Sequence, residues 1–394
     1  MAAEAGHPAS LLTAVEGYVG DRSNERTATG FTRKGLSIKA SLFPNRPPQP
    51  SKLWVHCPEA VHVDTPRVLC TAGDLILFRV DVSPDCVPDS PDVSKTMRLV
   101  FFPVVSTTTP SPRCFPVLPA SKSSCSNCST PRHRAGAPWC CPWRSHRWSS
   151  ICVIPTNTDL YYHYSSNVIT IGGEHGTMGW VDLWRGILLC DVLREKPTLR
   201  GIPLPLPMDH ITADEHLGRA MNYRGIAFVN GCLKLIQLDI DASYDIDVID
   251  PETEHPTMLV DDWAISSWSN STLENSYEAW GEPECTVEAA EVTIKTDMNS
   301  HPTGMLLLPS EEGVENPEEE AAYFQRLVIS DPSPSLDDDG VVYLIAREKL
   351  YHPKSWILAL DMNTKTLQSV FPFGTVEDPS ESVMYCTSRS ASNT

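Results

Sequence analysis

Twelve residues from Asp239 to Asp250 have the residue types of a calcium loop. Oxygen-bearing side chains stand at alternate positions, with an isoleucine at the eighth and an acid at the twelfth. Two departures count against a calcium site, since Tyr244 stands where the sharp turn needs glycine and Pro251 where a helix should continue. The alternative is a strand end whose solvated acids alternate with apolar residues on the other face. The departures favour the strand.

A cysteine-rich segment offers a second candidate cation site. Residues 93–158 contain no Asp or Glu, and within them Cys125 and Cys128 have the spacing that lets two thiolates share a zinc ion. Cys140 and Cys141, or His133, would have to complete the site. Because a second such pair is absent, we favour a disordered insertion, or a misread exon boundary, over a zinc module. We expect no metal and no cofactor.

Enzymatic signatures are absent from the sequence. It contains no GxSxG elbow, HExxH pair, phosphate-binding Walker loop or kinase set. The glycine-rich run Gly172–Gly179 joins two strand-like segments, so its glycines are interpreted as turn residues with positive φ. Glu174 and His175 are neighbours in an extended chain and would point to opposite faces. We therefore predict that the protein is not an enzyme and has no catalytic residues.

Charge is unevenly spread along the 394 residues, whose formal net charge is -19. Residues 1–150 hold 17 basic and 11 acidic residues, whereas residues 151–394 hold 14 and 39. An acidic body repels phosphate backbones, which disfavours nucleic acid as a partner. No apolar run is long enough for a membrane span, and the N-terminus lacks a secretory signal. We expect a cytoplasmic or nuclear protein with free thiols.

Short apolar runs predict an all-β chain. They lie at 54–56, 67–70, 74–80 and 97–102, and Pro, Gly, Asp and Ser bound them. Helical periodicity is weak, with a single short candidate at Glu318–Leu327.

Three hairpins are predicted from the sequence. Residues 223–229 and 232–238 are joined by Asn230-Gly231, the dipeptide that tolerates positive φ at both centres of a type I′ turn. Residues 179–184 and 187–193 are joined across Arg185-Gly186, and residues 341–346 and 356–361 by a longer loop. A fourth strand, 367–371, follows the turn at 362–365. Their loose spacing of about 40–50 residues suits propeller blades, which bury one another's faces. A pair of β-sandwiches is the alternative.

The run WVDLWRGILLCDVL, from Trp180 to Leu193, resembles the centre of domain of unknown function 1618, a family expanded in grasses. The following LRGIPLPLP and the stretches at 21–30, 263–268 and 331–332 are similar to it too. The resemblance covers most of residues 10–375 except about 107–150. It implies a β-rich, propeller-like fold without established catalytic residues, and a role in plant development or stress regulation.

Together these observations predict four regions: a β-rich part at 1–106, a low-complexity insertion at 107–150, a β-rich core at 151–375 and a disordered polar tail at 376–394. The predicted function is binding of unidentified protein partners; the alternative is a ligand-binding or hydrolytic propeller with a site at the channel mouth. Six residues are predicted to serve the fold. The tryptophan rings would fill gaps between sheets, the aspartate would accept a turn amide, and the rest would form turns: Trp180, Asp182, Trp184, Gly186, Asn230 and Gly231.

Overall fold

The computed structural model describes residues 10–32, 35–72, 75–80, 82–83, 99–103, 167–197, 199–205, 220–294, 323–374 and 388–389. These residues are nearly all β, and small antiparallel sheets are arranged like a four-blade propeller, which confirms the predicted fold class. Short 3-10 turns occur at Ala220–Asn222, Glu278–Trp280 and Ala289–Glu291. No helix in these ranges is long and apolar enough to cross a membrane. The region 107–150, with its cysteine pair, lies outside the described residues.

The first ten strands lie in the N-terminal region. They are β1 (Ser10–Leu11), β2 (Tyr18–Val19), β3 (Thr27–Phe31), β4 (Ser37–Phe43), β5 (Lys52–His56), β6 (His62–Val63), β7 (Arg67–Ala72), β8 (Leu75–Arg79), β9 (Val82–Ser83) and β10 (Leu99–Pro103). All four apolar runs predicted here are strands, β5, β7, β8 and β10.

Fourteen further strands follow residue 166. They are β11 (Asn167–Gly172), β12 (Thr177–Asp182), β13 (Gly186–Asp191), β14 (Leu199–Pro203), β15 (Arg224–Val229), β16 (Cys232–Ile249), β17 (Pro256–Asn270), β18 (Cys285–Glu288), β19 (Thr293–Ile294), β20 (Val328–Pro334), β21 (Val341–Arg347), β22 (Ser355–Asp361), β23 (Thr366–Gly374) and β24 (Ser388–Arg389). Of the candidate helix at 318–327, the described part is helical only at 323–325.

Four meanders form the repeating part of the architecture. Their strand orders are β7-β8-β10, β11 to β14, β15 to β18, and β20 to β23, with β19 added in parallel beside β23. The first strands of successive meanders are neighbours, since β7 lies beside β11, β11 beside β15, and β15 beside β20. This is the blade pattern, in which each sheet presents its first strand to the centre. A further sheet, β2-β5-β4-β3, packs its apolar face against β7 and β8.

Turn chemistry determines where the hairpins form. The hairpin of β15 and β16 turns at Asn230 and Gly231, with φ values of 50° and 85°, and pairs Val229 with Cys232. This confirms the predicted type I′ connection, because both centres need the left-handed region. The hairpin of β21 and β22 and the following strand β23 are confirmed as well.

The core consists of apolar side chains between neighbouring sheets. One cluster joins the meander β11 to β14 to the next, and contains Ile187, Leu189, Leu233 and Leu235, all fully buried. A larger one joins the meander β15 to β18 to the last meander. Ile202, in the edge strand β14, and Leu204, just beyond it, are also buried.

A very close backbone approach joins β15 to β20. A Cβ atom at Gly225 would lie 1.6 Å from the carbonyl oxygen of Pro332, so only glycine fits there. The β20 backbone bulges at this point, with a register shift between Ser330 and Ser333 and a φ of 55° at Asp331.

The N-terminal segment connects distant parts of the structure. Leu12 is fully buried among residues of β21 and β22, including Val341 and Ile357. A few residues later, Gly17 donates its N–H to the carbonyl of Pro66 at 2.7 Å, just before β7. The segment therefore spans from the last meander to the first.

Candidate functional site

The turn between β12 and β13 is organised by Asp182. The carboxylate Oδ1 accepts the backbone N–H of Trp184 at 3.0 Å, and the Asp182 carbonyl accepts the N–H of Arg185 at 3.0 Å. Gly186 is therefore the first residue of β13 and pairs with Asp182. The predicted two-residue connection across Arg185-Gly186 is wrong, because the side chain of Asp182 captures an earlier amide and places the turn at residues 183–185. The prediction that Asp182 accepts a turn amide is confirmed.

Asp182 also holds a basic side chain. Its Oδ2 lies 2.7 Å from Nη1 of Arg185, whose side chain is one-fifth exposed, while the Asp182 side chain is 1% exposed. A buried carboxylate is stable only when its oxygens have donors. Here the Trp184 N–H and Arg185 Nη1 are donors from the same turn, so the carboxylate stabilises that turn.

The two tryptophans of this hairpin have different surroundings. Trp180 is half-buried and pairs with Val168 and Leu188 across the ladder. Trp184 is half-buried and packs against the cluster between the second and third meanders, where its ring lies 6.4 Å from that of Tyr223. The predicted position between sheets therefore holds for Trp184.

Arg224 is a buried cation that the sequence did not reveal. Its side chain donates from Nε to Oε1 of Gln237 at 3.1 Å, and from Nη1 to the carbonyl of Leu183 at 3.1 Å. Burial lowers the pKa of the guanidinium to about 10, and the charge of Asp239 opposes this shift. The arginine thus ties the Asp182 turn to the next meander.

Aromatic side chains continue from Trp184 towards the last meander. Burial raises the pKa of the Tyr223 hydroxyl, and the nearby hydroxyls of Tyr244 and Tyr351 raise it further. The ring of Tyr351 lies 4.3 Å from that of His255. We call these five side chains the aromatic row. It connects the β12–β13 turn, the long hairpin of β16 and β17, and the β21–β22 loop.

The hairpin of β16 and β17 extends beyond its own sheet. Pairing with β15 ends at Gln237 and pairing with β18 ends at Ala264. The two long strands continue to pair with each other to Asp245 and Thr257, and after a register shift they pair once more at Ile249 and Pro256. We call residues 239–262 the acidic ribbon, because they contain nine Asp or Glu and no Lys or Arg.

The acidic ribbon corresponds to the sequence that resembles a calcium loop. Its first half is extended strand, which confirms the alternative interpretation. In the part of the chain that the structure describes, no three His, Cys, Asp or Glu side chains are grouped so that they could hold a metal ion.

The two faces of the acidic ribbon differ. Ile240, Ala242 and Met258 pack against the large core cluster together with Leu350 of the β21–β22 loop. Exposed aspartates lie on the other face, as does Leu259, which pairs with Ser243. Five of the nine exposed large hydrophobic residues in the described ranges belong to the ribbon or the loop beside it: Tyr244, Val248, Ile249, Leu259 and Tyr351.

Ion pairs fix the tip of the acidic ribbon to the last meander. Lys349 Nζ lies 3.0 Å from an oxygen of Asp250 and 3.1 Å from one of Glu252. The Lys349 hydrogen bond holds the pKa of Asp250 below its ordinary value, and bonds from His352 and then Lys349 do so for Glu252. His352 is 4% exposed, with Nε2 at 3.1 Å from Glu252 and Nδ1 at 3.3 Å from the carbonyl of Lys354. The ribbon is therefore held in place at both ends.

The glycine-rich loop between β11 and β12 is a turn, as predicted. Gly172, Gly173 and Gly176 have φ values of 82°, 76° and 59°, and no helix begins there. Glu174 and His175 are exposed at its tip.

One family model matches the chain, that of a protein of unknown function, DUF1618, over residues 180–343. The match begins at Trp180 and includes the Asp182 turn, Arg224 and the acidic ribbon. It confirms that the run from Trp180 to Leu193 resembles this family. No curated protein matches the chain.

Proposed function

We propose that this chain, which carries a DUF1618 region over residues 180–343, is a non-catalytic module that binds other proteins through the acidic ribbon and the adjoining aromatic row. The observation that supports this proposal is the concentration of exposed apolar side chains on one projecting hairpin. Val248 and Ile249 are each 52% exposed and Leu259 is 57% exposed. Grouped exposed apolar residues on a soluble domain are typical of interaction sites, whereas scattered ones are not.

The anchored tip favours binding as well. A partner that binds a mobile loop must first restrict its motion, which reduces affinity. Here Lys349 and His352 already connect the tip to the neighbouring loop. The apolar side chains are thus presented on a pre-ordered backbone.

The pair of His352 and Glu252 is arranged to hold the structure together and is poorly placed for catalysis. Both ring nitrogens of His352 face acceptors of this chain, and the ring is nearly inaccessible to solvent. A general base must reach the proton that it abstracts. This supports the non-catalytic form of the proposal. We further propose that the protein acts in the cytoplasm or nucleus, in plant development or stress regulation.

Quantitative affinity capture tests the proposal. The full chain is compared with a Val248→Ser/Ile249→Ser variant and with a Val61→Ser/Leu193→Ser control, whose residues are also exposed but lie in loops away from the ribbon, between β5 and β6 and between β13 and β14. We expect reproducible partners to fall at least fivefold with the ribbon variant and to remain with the control. Far-ultraviolet circular dichroism and thermal melting establish that both variants are folded. Undiminished capture by a folded ribbon variant would contradict the proposal.

A further inference from the structure

We propose that the acidic ribbon receives an extended, arginine- and lysine-rich segment of a partner protein, which pairs as an added strand with the edge of β16 from Asp239 onward. This inference rests on the proposed function and specifies the chemistry of the partner. Three independent features support it: a strand edge of β16 beyond β15, the net negative charge of the ribbon, and the aromatic row beside that edge.

The strand edge begins where β15 ends. Leu238 donates its N–H to the carbonyl of Tyr223 at 2.8 Å, on the side of β16 that faces β15. Backbone groups alternate in direction along a strand, so the N–H and C=O of Ile240 and Ala242 point to this same side. From Asp239 onward, within the described ranges, β16 is paired only with β17. An edge of this kind is a template for strand addition.

The charge of the acidic ribbon selects a basic partner. In the described residues, Lys349 is the only Lys or Arg ion-paired to the ribbon, and it contacts only Asp250 and Glu252. Asp241 lies opposite Asp262 in the ladder, and like charges in that position repel. A basic segment would relieve this repulsion. Nucleic acids, anionic membranes and the same ribbon of a second copy would all increase it.

Aromatic rings beside the edge favour arginine in particular. Trp184 is half-buried, and Tyr351 is 61% exposed and borders the ribbon. A guanidinium stacks on such faces and also pairs with carboxylates through its planar array of donors. Since Tyr223 forms the last backbone bond before the edge becomes available, an added strand would begin next to these rings.

Synthetic peptides test the inference directly. The probe is a fluorescent twelve-residue peptide of alternating Arg and Thr, titrated with the full chain and followed by fluorescence anisotropy. Two matched probes carry N-methyl groups on either the odd or the even backbone amides, and a third replaces every Arg with Glu. Strand addition uses one set of amides, so we expect one N-methyl pattern to weaken binding at least tenfold and the other to leave it within threefold. The Glu peptide should not bind.

Variants locate the site. We expect Asp241→Asn/Asp245→Asn to weaken the arginine peptide five- to tenfold, and Glu59→Gln/Glu195→Gln, which neutralises two exposed acids elsewhere, to change it less than twofold. The inference would be overturned if both N-methyl patterns reduced the peptide's affinity equally, or if both double variants weakened binding of the arginine peptide equally. If the arginine peptide does not bind while Val248→Ser/Ile249→Ser still lowers capture at least fivefold, this inference fails and the proposed function stands. If the peptide behaves as expected but capture is unchanged, the proposed function fails instead.

Discussion

Substitutions at Asp182 and Arg185 separate two contributions to the free energy of unfolding: the hydrogen bond from the Trp184 N–H to Asp182, and the ion pair between Asp182 and Arg185. In Asp182→Ala, the partly buried N–H of Trp184 loses a charged acceptor at 3.0 Å, which costs about 1.5–3 kcal/mol. The pair with the partly exposed Arg185 adds about 0.2–1 kcal/mol, so the free energy of unfolding should fall by about 2–4 kcal/mol. Asp182→Asn keeps an amide oxygen for Trp184 and should lose only about 1 kcal/mol. Arg185→Met removes only the ion pair, so its free energy of unfolding should fall by no more than that of Asp182→Asn.

Equilibrium urea unfolding measures these differences. Tryptophan fluorescence and circular dichroism should give coincident transitions, because free energies of unfolding can be derived only from a two-state transition. The double variant Asp182→Asn/Arg185→Met completes a cycle whose coupling energy reports the ion pair alone. If Asp182→Asn is as destabilising as Asp182→Ala, the backbone bond is not the main contribution. A change below about 0.5 kcal/mol for Asp182→Ala would refute the assignment of Asp182 to the fold, because that is the range of ordinary surface substitutions.

Three further predictions concern other parts of the fold. Gly225→Ala places a methyl group 1.6 Å from the Pro332 carbonyl oxygen, so we expect at least about 1–3 kcal/mol of lost stability in urea unfolding, and an unchanged unfolding free energy would contradict this close approach. Trp280→Phe removes a 2.6 Å bond to the Pro203 carbonyl and should cost about 0.5–1.5 kcal/mol in thermal unfolding; no change would show that this bond is not needed. Burial raises the pKa of Asp361, but hydrogen bonds from residues 363 and 364 outweigh it, so the pKa lies below 3.8. Its stabilisation is therefore present above the ordinary pKa and is lost as pH falls through the lower folded value, and the difference between wild type and Asp361→Asn should shrink in urea unfolding below about pH 4.

Local turn chemistry made much of the fold predictable. Asn230-Gly231 allows few backbone conformations other than a type I′ turn, and the structure has that turn. The Arg185-Gly186 dipeptide predicts a turn one residue too late, because the aspartate three residues before Arg185 determines where the chain turns. An aspartate two residues before an amide often accepts its N–H, and this signal was present at Asp182 and Trp184.

The candidate site depended on packing that a single sequence does not reveal. Alternating acids and apolar residues predicted a strand end at 239–250. The distance that β16 continues past β15 depends on the packing of Ile240, Ala242 and Met258 against the neighbouring meander. The burial of Arg224 is also not predictable from the sequence, because its partner Gln237 lies on another strand and its partner Leu183 lies in the turn of another meander.

The N-terminal segment has a consequence for the order of assembly. Leu12 and Val341 share one core cluster but stand 329 positions apart in the chain. Contacts of such separation carry a large loop-closure entropy and form slowly, so the meanders should assemble first and the segment should dock on them last. In native-state hydrogen exchange, the amides of Ala14 and Ser51, which bond along this segment, would then open below the global unfolding free energy. The N-terminal segment would therefore detach from the last meander before the meanders themselves unfold.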